Sequence, residues 1–123
     1  MDTHLPILTS HVFRAQEITD TTIYSPAISL SNAQSNGFFS IQIALSGTGT
    51  LTNLFYQVTI DGVNFLKPVS ATSIATTFTK SSGTSDGTTG RDIVAFNPEL
   101  ATAIRFGATV TGTATLTAML CMQ

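Results

Sequence analysis

Apolar and polar residues alternate with a period of two along most of the chain from Pro26 onward. In a β-strand successive side chains point to opposite faces of the sheet, so this period predicts strands that are buried on one face. The alternation is clearest in four segments: 39–45, 54–60, 104–110 and 114–120. It is shorter in three others: 27–30, 74–78 and 93–96. About seven or eight strands at this spacing indicate an all-β fold, either an antiparallel β-sandwich or a jelly roll.

Two small residues separate the last pair of long segments. Thr111 and Gly112 lie between an alternating run that ends at Val110 and one that begins at Thr113. A two-residue connection that contains glycine is a common β-hairpin turn. The sequence therefore predicts that the two segments are separate strands joined by a tight hairpin.

The first 24 residues have no sustained period of either kind, although they contain several apolar residues and both histidines. Two interpretations are open. The segment is either an arm that reaches beyond the domain or an additional edge strand of the same sheet. The predicted organisation is thus an N-terminal arm or edge segment over 1–24 and a β-sandwich domain over 25–123.

The amino-acid composition indicates the character of the surface and excludes some classes of partner. Charged residues make up 10% of the chain and hydrophobic residues 42%, while Thr and Ser contribute 22 and 12 of the 123 residues. Few charges oppose the approach of another copy, so we expect this surface to be covered by partners in a homo-oligomer or larger assembly. With a net charge of −2, the chain has no excess of basic residues that would indicate nucleic-acid binding. The sequence has neither a secretory signal pattern nor an apolar run of membrane-spanning length, which predicts a cytoplasmic product without membrane contact.

No catalytic or cofactor motif stands out. The sequence has no HExxH motif, no P-loop and no paired cysteine ligands, and its single cysteine is Cys121. The dipeptides Asp61-Gly62 and Asp86-Gly87 are predicted to be turns rather than calcium ligands, because the spacing of an EF-hand is absent. We therefore expect no enzymatic activity, no metal site and no cofactor.

Three phenylalanines do not follow the core pattern. Phe38 and Phe55 are out of phase with the apolar positions of their strands, and Phe65 falls in a turn. Such rings either pack under loops or stand exposed, where a sugar or a protein can stack on them. Both interpretations are open at this stage.

Several runs of sequence resemble small β-sandwich proteins encoded among the structural genes of tailed bacteriophages. The resemblance covers about residues 26–123. It is carried by the terminal strand and by four runs: Gly47-Thr48-Gly49-Thr50-Leu51-Thr52, Tyr56-Gln57-Val58-Thr59-Ile60-Asp61-Gly62-Val63-Asn64-Phe65, Phe96-Asn97-Pro98-Glu99-Leu100-Ala101 and Ile104-Arg105-Phe106.

This resemblance implies a non-enzymatic virion protein that is made in the host cytoplasm and assembled in many copies. The variety favoured is a capsid decoration or cement protein, which binds the major capsid protein or other virion proteins and stabilises the shell. The arm residues expected to contact the partner are Leu5, Ile7, Leu8, Val12 and Phe13. The loop residues expected to do so are Thr84, Asp86 and Arg91.

A second hypothesis is a structural or carbohydrate-binding module at a tail, neck or fibre. Its stacking platform would be Phe38, Phe55 or Tyr56. The chain has no tryptophan, the aromatic residue best suited to sugar stacking, which counts against this hypothesis.

Overall fold

The computed structural model describes residues 8–30, 39–69, 71–83 and 89–122, and these form one antiparallel sheet of seven strands. The all-β, sandwich-like fold expected from the alternation is confirmed. The strands are β1 (Leu8–Tyr24), β2 (Ile28–Ser29), β3 (Phe39–Gly47), β4 (Thr50–Thr59), β5 (Ala75–Phe78), β6 (Arg91–Phe96) and β7 (Ala103–Met122). Within these ranges there is no helix long and apolar enough to cross a membrane.

The long strand β7 lies at the centre of the sheet and is paired on both edges. On one edge it pairs with β1 along the whole length of that strand, and with the short strand β2. On its other edge β3 pairs with the C-terminal half of β7, and β4 pairs with the N-terminal half. β6 pairs with the free edge of β3, and β5 with that of β4.

The hairpin predicted at Thr111 and Gly112 is wrong, because β7 runs through both residues without turning. A two-residue type I′ turn needs a positive φ at both central residues. Only Gly112 has one, at 81°. The neighbouring strands also pair with β7 on both sides of this point, with Thr50 opposite Thr111 and Gly47 opposite Ala114.

β1, β7 and the link between β3 and β4 all depart from regular strand pairing in one region, which we call the sheet corner. The register between β1 and β7 shifts at Asp20, where Thr111 and Gly112 of β7 lie opposite a single residue of β1, and the link between β3 and β4 passes here at Gly49. The Asp20 carboxylate accepts a hydrogen bond from the Gly112 amide at 2.8 Å. The Gly49 amide donates to the Thr113 carbonyl, also at 2.8 Å. These bonds satisfy backbone groups where the regular ladder is interrupted.

The corner divides the sheet into two halves: β3, β6 and the C-terminal half of β7 form one, and β4, β5 and the N-terminal half of β7 form the other. The sheet curls so that these two halves share one core. Phe96, on β6 of one half, contacts rings of the other half. Its ring centroid lies 5.6 Å from that of Tyr56 on β4 and 5.9 Å from that of Phe106 on β7. The even-numbered residues of β7 face this core on both sides of Gly112, so one alternation serves both halves.

Residues 8–24 belong to this sheet. β1 is an edge strand that contributes Val12, Phe13 and Ile18 to the shared core. Outside the core, the hydroxyls of Thr19 and Thr113 hydrogen-bond across the two strands at 2.9 Å. Residues 1–7 lie outside the described ranges.

Candidate functional site

The outer face of β4 and β7 carries a cluster of aromatic and cationic side chains. Because the even positions of β7 face the core, the odd positions Arg105 and Gly107 lie on the outer face. Across the ladder between β4 and β7, Arg105 pairs with Gln57, and Gly107 pairs with Phe55. Gly107 has no side chain, so the Phe55 ring packs directly on its backbone. A Cβ at this position would be 2.7 Å from the ring atom Cε2.

Arg105 is held between two rings that come from different parts of the chain. Its guanidinium carbon lies 4.6 Å from the ring centroid of Tyr24, at the end of β1, and 4.7 Å from that of Phe65, in the loop after β4. Its Nε donates a hydrogen bond to Oε1 of Gln57 at 2.8 Å. Stacking and this bond together fix the plane of the guanidinium.

The same cluster contains a second cation. Lys67 places its Nζ 5.9 Å from the ring centroid of Phe55, whose other neighbour is the edge of Tyr24. We call this set the cation–aromatic surface, and it consists of Tyr24, Phe55, Gln57, Phe65, Lys67 and Arg105. No carboxylate forms an ion pair with either cation among the described residues.

The loop after β4 is shaped by the carboxylate of Asp61. Oδ1 accepts hydrogen bonds from the amides of Val63 and Asn64, both at 2.8 Å, and from the Thr59 hydroxyl at 3.0 Å. The Asn64 side-chain amide donates to Oδ2. These bonds, above all those from the Asn64 and Val63 amides, hold the pKa of Asp61 well below its usual range. The structure places Asp61-Gly62 in a turn, as expected.

Beside this loop is an apolar edge surface of large side chains that are each at least 65% exposed. We define it by its members: Ile60, Val63, Leu66, Val69 and Leu100. Ile60, Leu66 and Leu100 line an open cavity of about 520 Å³, together with the acidic residues Asp61 and Glu99. The cavity is thus lined by exposed apolar side chains together with two acidic residues.

A second cavity, of about 410 Å³, lies where the two halves of the sheet meet and is lined by residues that include Tyr56, Ser73, Asn97 and Glu99. The Tyr56 hydroxyl donates a hydrogen bond to Oε1 of Glu99 at 2.8 Å. Burial, and then the bond to Glu99 and its negative charge, raise the pKa of Tyr56 to about 12.

This shift predicts a loss of stability in strong alkali. The folded protein holds the Tyr56 phenol neutral, so its contribution is complete below the unfolded pKa of about 10 and is lost as the pH rises towards 12. Two pKa units correspond to about 2 to 3 kcal/mol of unfolding free energy. Urea denaturation at about pH 9 and about pH 11.5 measures it. Tyr56→Phe should lose less over this interval, and an equal loss in both proteins would contradict the assignment.

Of the five predicted arm contacts, the structure describes Leu8, Val12 and Phe13. Val12 and Phe13 are buried in the core, so their role as contacts stays a prediction that requires β1 to leave the sheet. Leu8 is half-buried and packs against the same core. Leu5 and Ile7 lie outside the described residues.

Of the predicted loop contacts, the structure describes Arg91. Arg91 is exposed at the start of β6, and its role as a contact stays a prediction. Thr84 and Asp86 lie outside the described residues. Gly90, just before Arg91, accepts a hydrogen bond from the Leu45 amide at 2.7 Å, which ties this end of the loop to β3.

Of the predicted stacking residues, the structure describes Phe55 and Tyr56, and neither ring is exposed. Tyr56 faces the core, so it cannot serve as an exposed platform. Phe55 does point outward but is covered by its neighbours, and Phe38 lies outside the described residues. Sequence reasoning missed Tyr24 and Arg105. A cation at an outward position of a core strand was the available signal for Arg105.

Comparisons with known proteins add a fold likeness. No family model matches the chain, and no curated protein matches it. Among solved structures, it is similar to the crystal structure of SPBc2 prophage-derived protein YomS, at 14% identity and a TM-score of 0.49. The match covers 98% of this chain and 97% of that one. At this identity and score, a functional proposal has to rest on the residues of this chain.

Proposed function

We propose that this protein is a non-enzymatic structural protein of a tailed-phage particle, and more specifically a capsid decoration or cement protein. The resemblance of its sequence to small β-sandwich phage proteins supports the class. The observation that carries the docking role is the apolar edge surface, because large exposed apolar patches on soluble domains mark interaction sites. The partner is the major capsid protein.

The chemistry of this surface describes the partner that fits it. Leu66 and Leu100 are exposed in this surface, and the acidic residues Asp61 and Glu99 line the same cavity. Protein interfaces commonly combine an apolar core with a polar rim. The matching site on the capsid protein is therefore apolar at its centre and basic around it.

The surface is held in shape before any partner arrives. Asp61 fixes the loop that carries Val63, as described above. Thr102 fixes the segment that carries Leu100, because its amide and its hydroxyl both donate to the Thr59 carbonyl, at 2.9 and 3.0 Å. A preorganised surface loses little conformational entropy on binding. Many such contacts on one shell act together through avidity and clamp neighbouring capsomers.

The first test is the copy number of this chain relative to the major capsid protein, measured by quantitative mass spectrometry of purified particles. A decoration or cement protein is expected in the hundreds of copies. A dozen copies or fewer would move the protein to the neck, tail or fibre. Absence from particles would overturn the virion proposal.

The docking surface is tested separately with the double variant Leu66→Asp, Leu100→Asp. Two carboxylates placed in an apolar interface cannot be solvated there, so binding to particles that lack this protein is expected to fall by at least about 100-fold. The matched control is Ile93→Asp, which replaces another exposed apolar residue, on β6. Co-sedimentation with the particles measures binding, and full binding by the double variant would rule out this surface.

A further inference from the structure

The cation–aromatic surface has the features of a ligand site and is separate from the proposed docking role. Arg105 lies between Tyr24 and Phe65, and its Nε is engaged by Gln57. Its two Nη atoms have no hydrogen-bond partner among the described residues. A guanidinium whose plane is fixed and whose Nη edge is available can bind a carboxylate or a phosphate through two parallel hydrogen bonds.

The electrostatics of the cluster favour an anion. Arg105 and Lys67 are on one face, and neither forms an ion pair with a carboxylate in the described part of the chain. Both formally charged members of the cluster are cations, in a protein whose net charge is −2. Stacking between rings also leaves the guanidinium less hydrated, which strengthens its interaction with an anionic group.

The aromatic residues favour a ligand that has a ring of its own. Tyr24 is 48% exposed and stands beside Arg105, so a flat group bound to the guanidinium can lie against the phenol ring. The C–H face of a pyranose is apolar and packs on aromatic faces, which carry partial negative charge. Gln57, next to Arg105 on the ladder, adds an amide of the kind that hydrogen-bonds to sugar hydroxyls.

We propose that the cation–aromatic surface binds an acidic glycan. The anionic group of the sugar pairs with the Nη edge of Arg105, and the sugar ring packs on Tyr24. Lys67 provides a second positive charge for the next anionic group along the polymer. The shared chemistry is a sugar chain that carries carboxylate or phosphate groups.

Two other classes of polymer fit this surface less well. A peptide that adds as a strand needs free backbone groups, but β7 is paired on both edges here, with β4 on one side and β1 and β2 on the other. Nucleic acid gains affinity from the neutralisation of many phosphates, whereas this surface offers two cations.

The test is a titration of the full chain, followed by calorimetry or NMR chemical shifts, with four probes. These are an oligogalacturonate, a phosphorylated glucan, a neutral glucan of equal length and polyglutamate. Saturable binding of either anionic carbohydrate-type polymer, with no binding of the neutral glucan, is the expected result. Whichever of the two binds identifies carboxylate or phosphate as the anion. Equal binding of polyglutamate would replace the glycan by an acidic protein, and no binding of any probe would overturn the proposal.

Variants distinguish a specific binding site from nonspecific electrostatic attraction of the polymer. Arg105→Lys keeps the charge but loses the planar fork and is expected to weaken binding by about tenfold. Tyr24→Ala removes an exposed ring and should weaken it several-fold while leaving the core intact. Arg105→Gln is matched by Arg91→Gln, which removes the same charge from an exposed residue of β6. Equal losses in this pair would show that net charge alone attracts the polymer.

This proposal does not rest on the virion role. The variant Leu100→Asp is expected to retain most of its glycan affinity, because Leu100 does not belong to the cation–aromatic surface. Likewise, Arg105→Lys is expected to bind capsids like the unmodified protein. If both variants lost both kinds of binding, the two surfaces would be one site and this proposal would be wrong.

Discussion

Replacing Phe106 with alanine is expected to lower the free energy of unfolding by about 3 to 5 kcal/mol. Phe106 is fully buried in the N-terminal half of β7, and its ring meets that of Phe96 edge to face. Truncation removes this contact between the two halves of the sheet and leaves a cavity in the shared core. Urea or guanidinium denaturation measures the loss, which is large against the total of about 5 to 15 kcal/mol typical of a domain.

The matched control is Phe65→Ala, which makes the same chemical change at a half-buried ring on the outer face. That ring contacts Arg105 and does not belong to the core, so the expected loss is below about 1.5 kcal/mol. Similar losses in the two variants would mean that the halves of the sheet do not share one core through Phe106.

The local alternation was sufficient to predict which residues face the core in most strands. In β3, the apolar positions Phe39, Ile41, Ile43 and Leu45 are the buried ones. This succeeds because side-chain direction in a strand has a strict period of two, and because one face of each strand here is solvated. The assignment of the all-β class depended on the same local property.

The path of β7 could not be predicted in this way. The residues on both sides of Gly112 alternate in the same phase, and this phase is equally compatible with a hairpin and with one long bent strand. What decides between them is non-local. Gly47 and Thr50 pair with β7 on either side of the bend, and β1 pairs along its other edge. Such pairings between distant segments leave no periodic trace in the sequence.

β1 shows no clear alternation of apolar and polar residues because its pairing with β7 is irregular. Its register with β7 shifts between Phe13 and Gln16 and again between Thr19 and Thr21. Ala15 and Asp20, within these shifts, have positive φ angles of 45°. The first shift adds a residue to β1 and changes the phase of its alternation, whereas at the second shift the extra residue is in β7. The apolar residues of β1 therefore reach one core from positions that fit no single period.

The cation–aromatic surface could not be predicted from the sequence for a further reason. Its parts come from the end of β1, from β4, from the following loop and from β7, and only the sheet brings them together. The out-of-phase Phe55 was a correct signal of an outward ring. Tyr24 gave no signal, because it ends the segment whose periodicity the bulges disrupt.

Gly49→Ala is the second variant with a large expected effect, about 2 to 3 kcal/mol of unfolding free energy. At the sheet corner the link between β3 and β4 passes against the backbone of β7. A Cβ on Gly49 would stand 2.7 Å from the carbonyl carbon and 2.8 Å from the nitrogen of Thr113. These are backbone atoms of a strand that is paired on both edges, so relief requires the strands to move apart.

The control for this variant is Gly62→Ala, which separates steric overlap from backbone strain. Gly62 has a positive φ of 79°, but no atom lies within 4 Å of an added Cβ, so only strain of about 1 kcal/mol is expected. Denaturation measures both variants, and hydrogen exchange of the Gly49 amide reports on its bond to Thr113. A Gly49→Ala protein as stable as Gly62→Ala would contradict the close passage of the β3–β4 link against the backbone of β7.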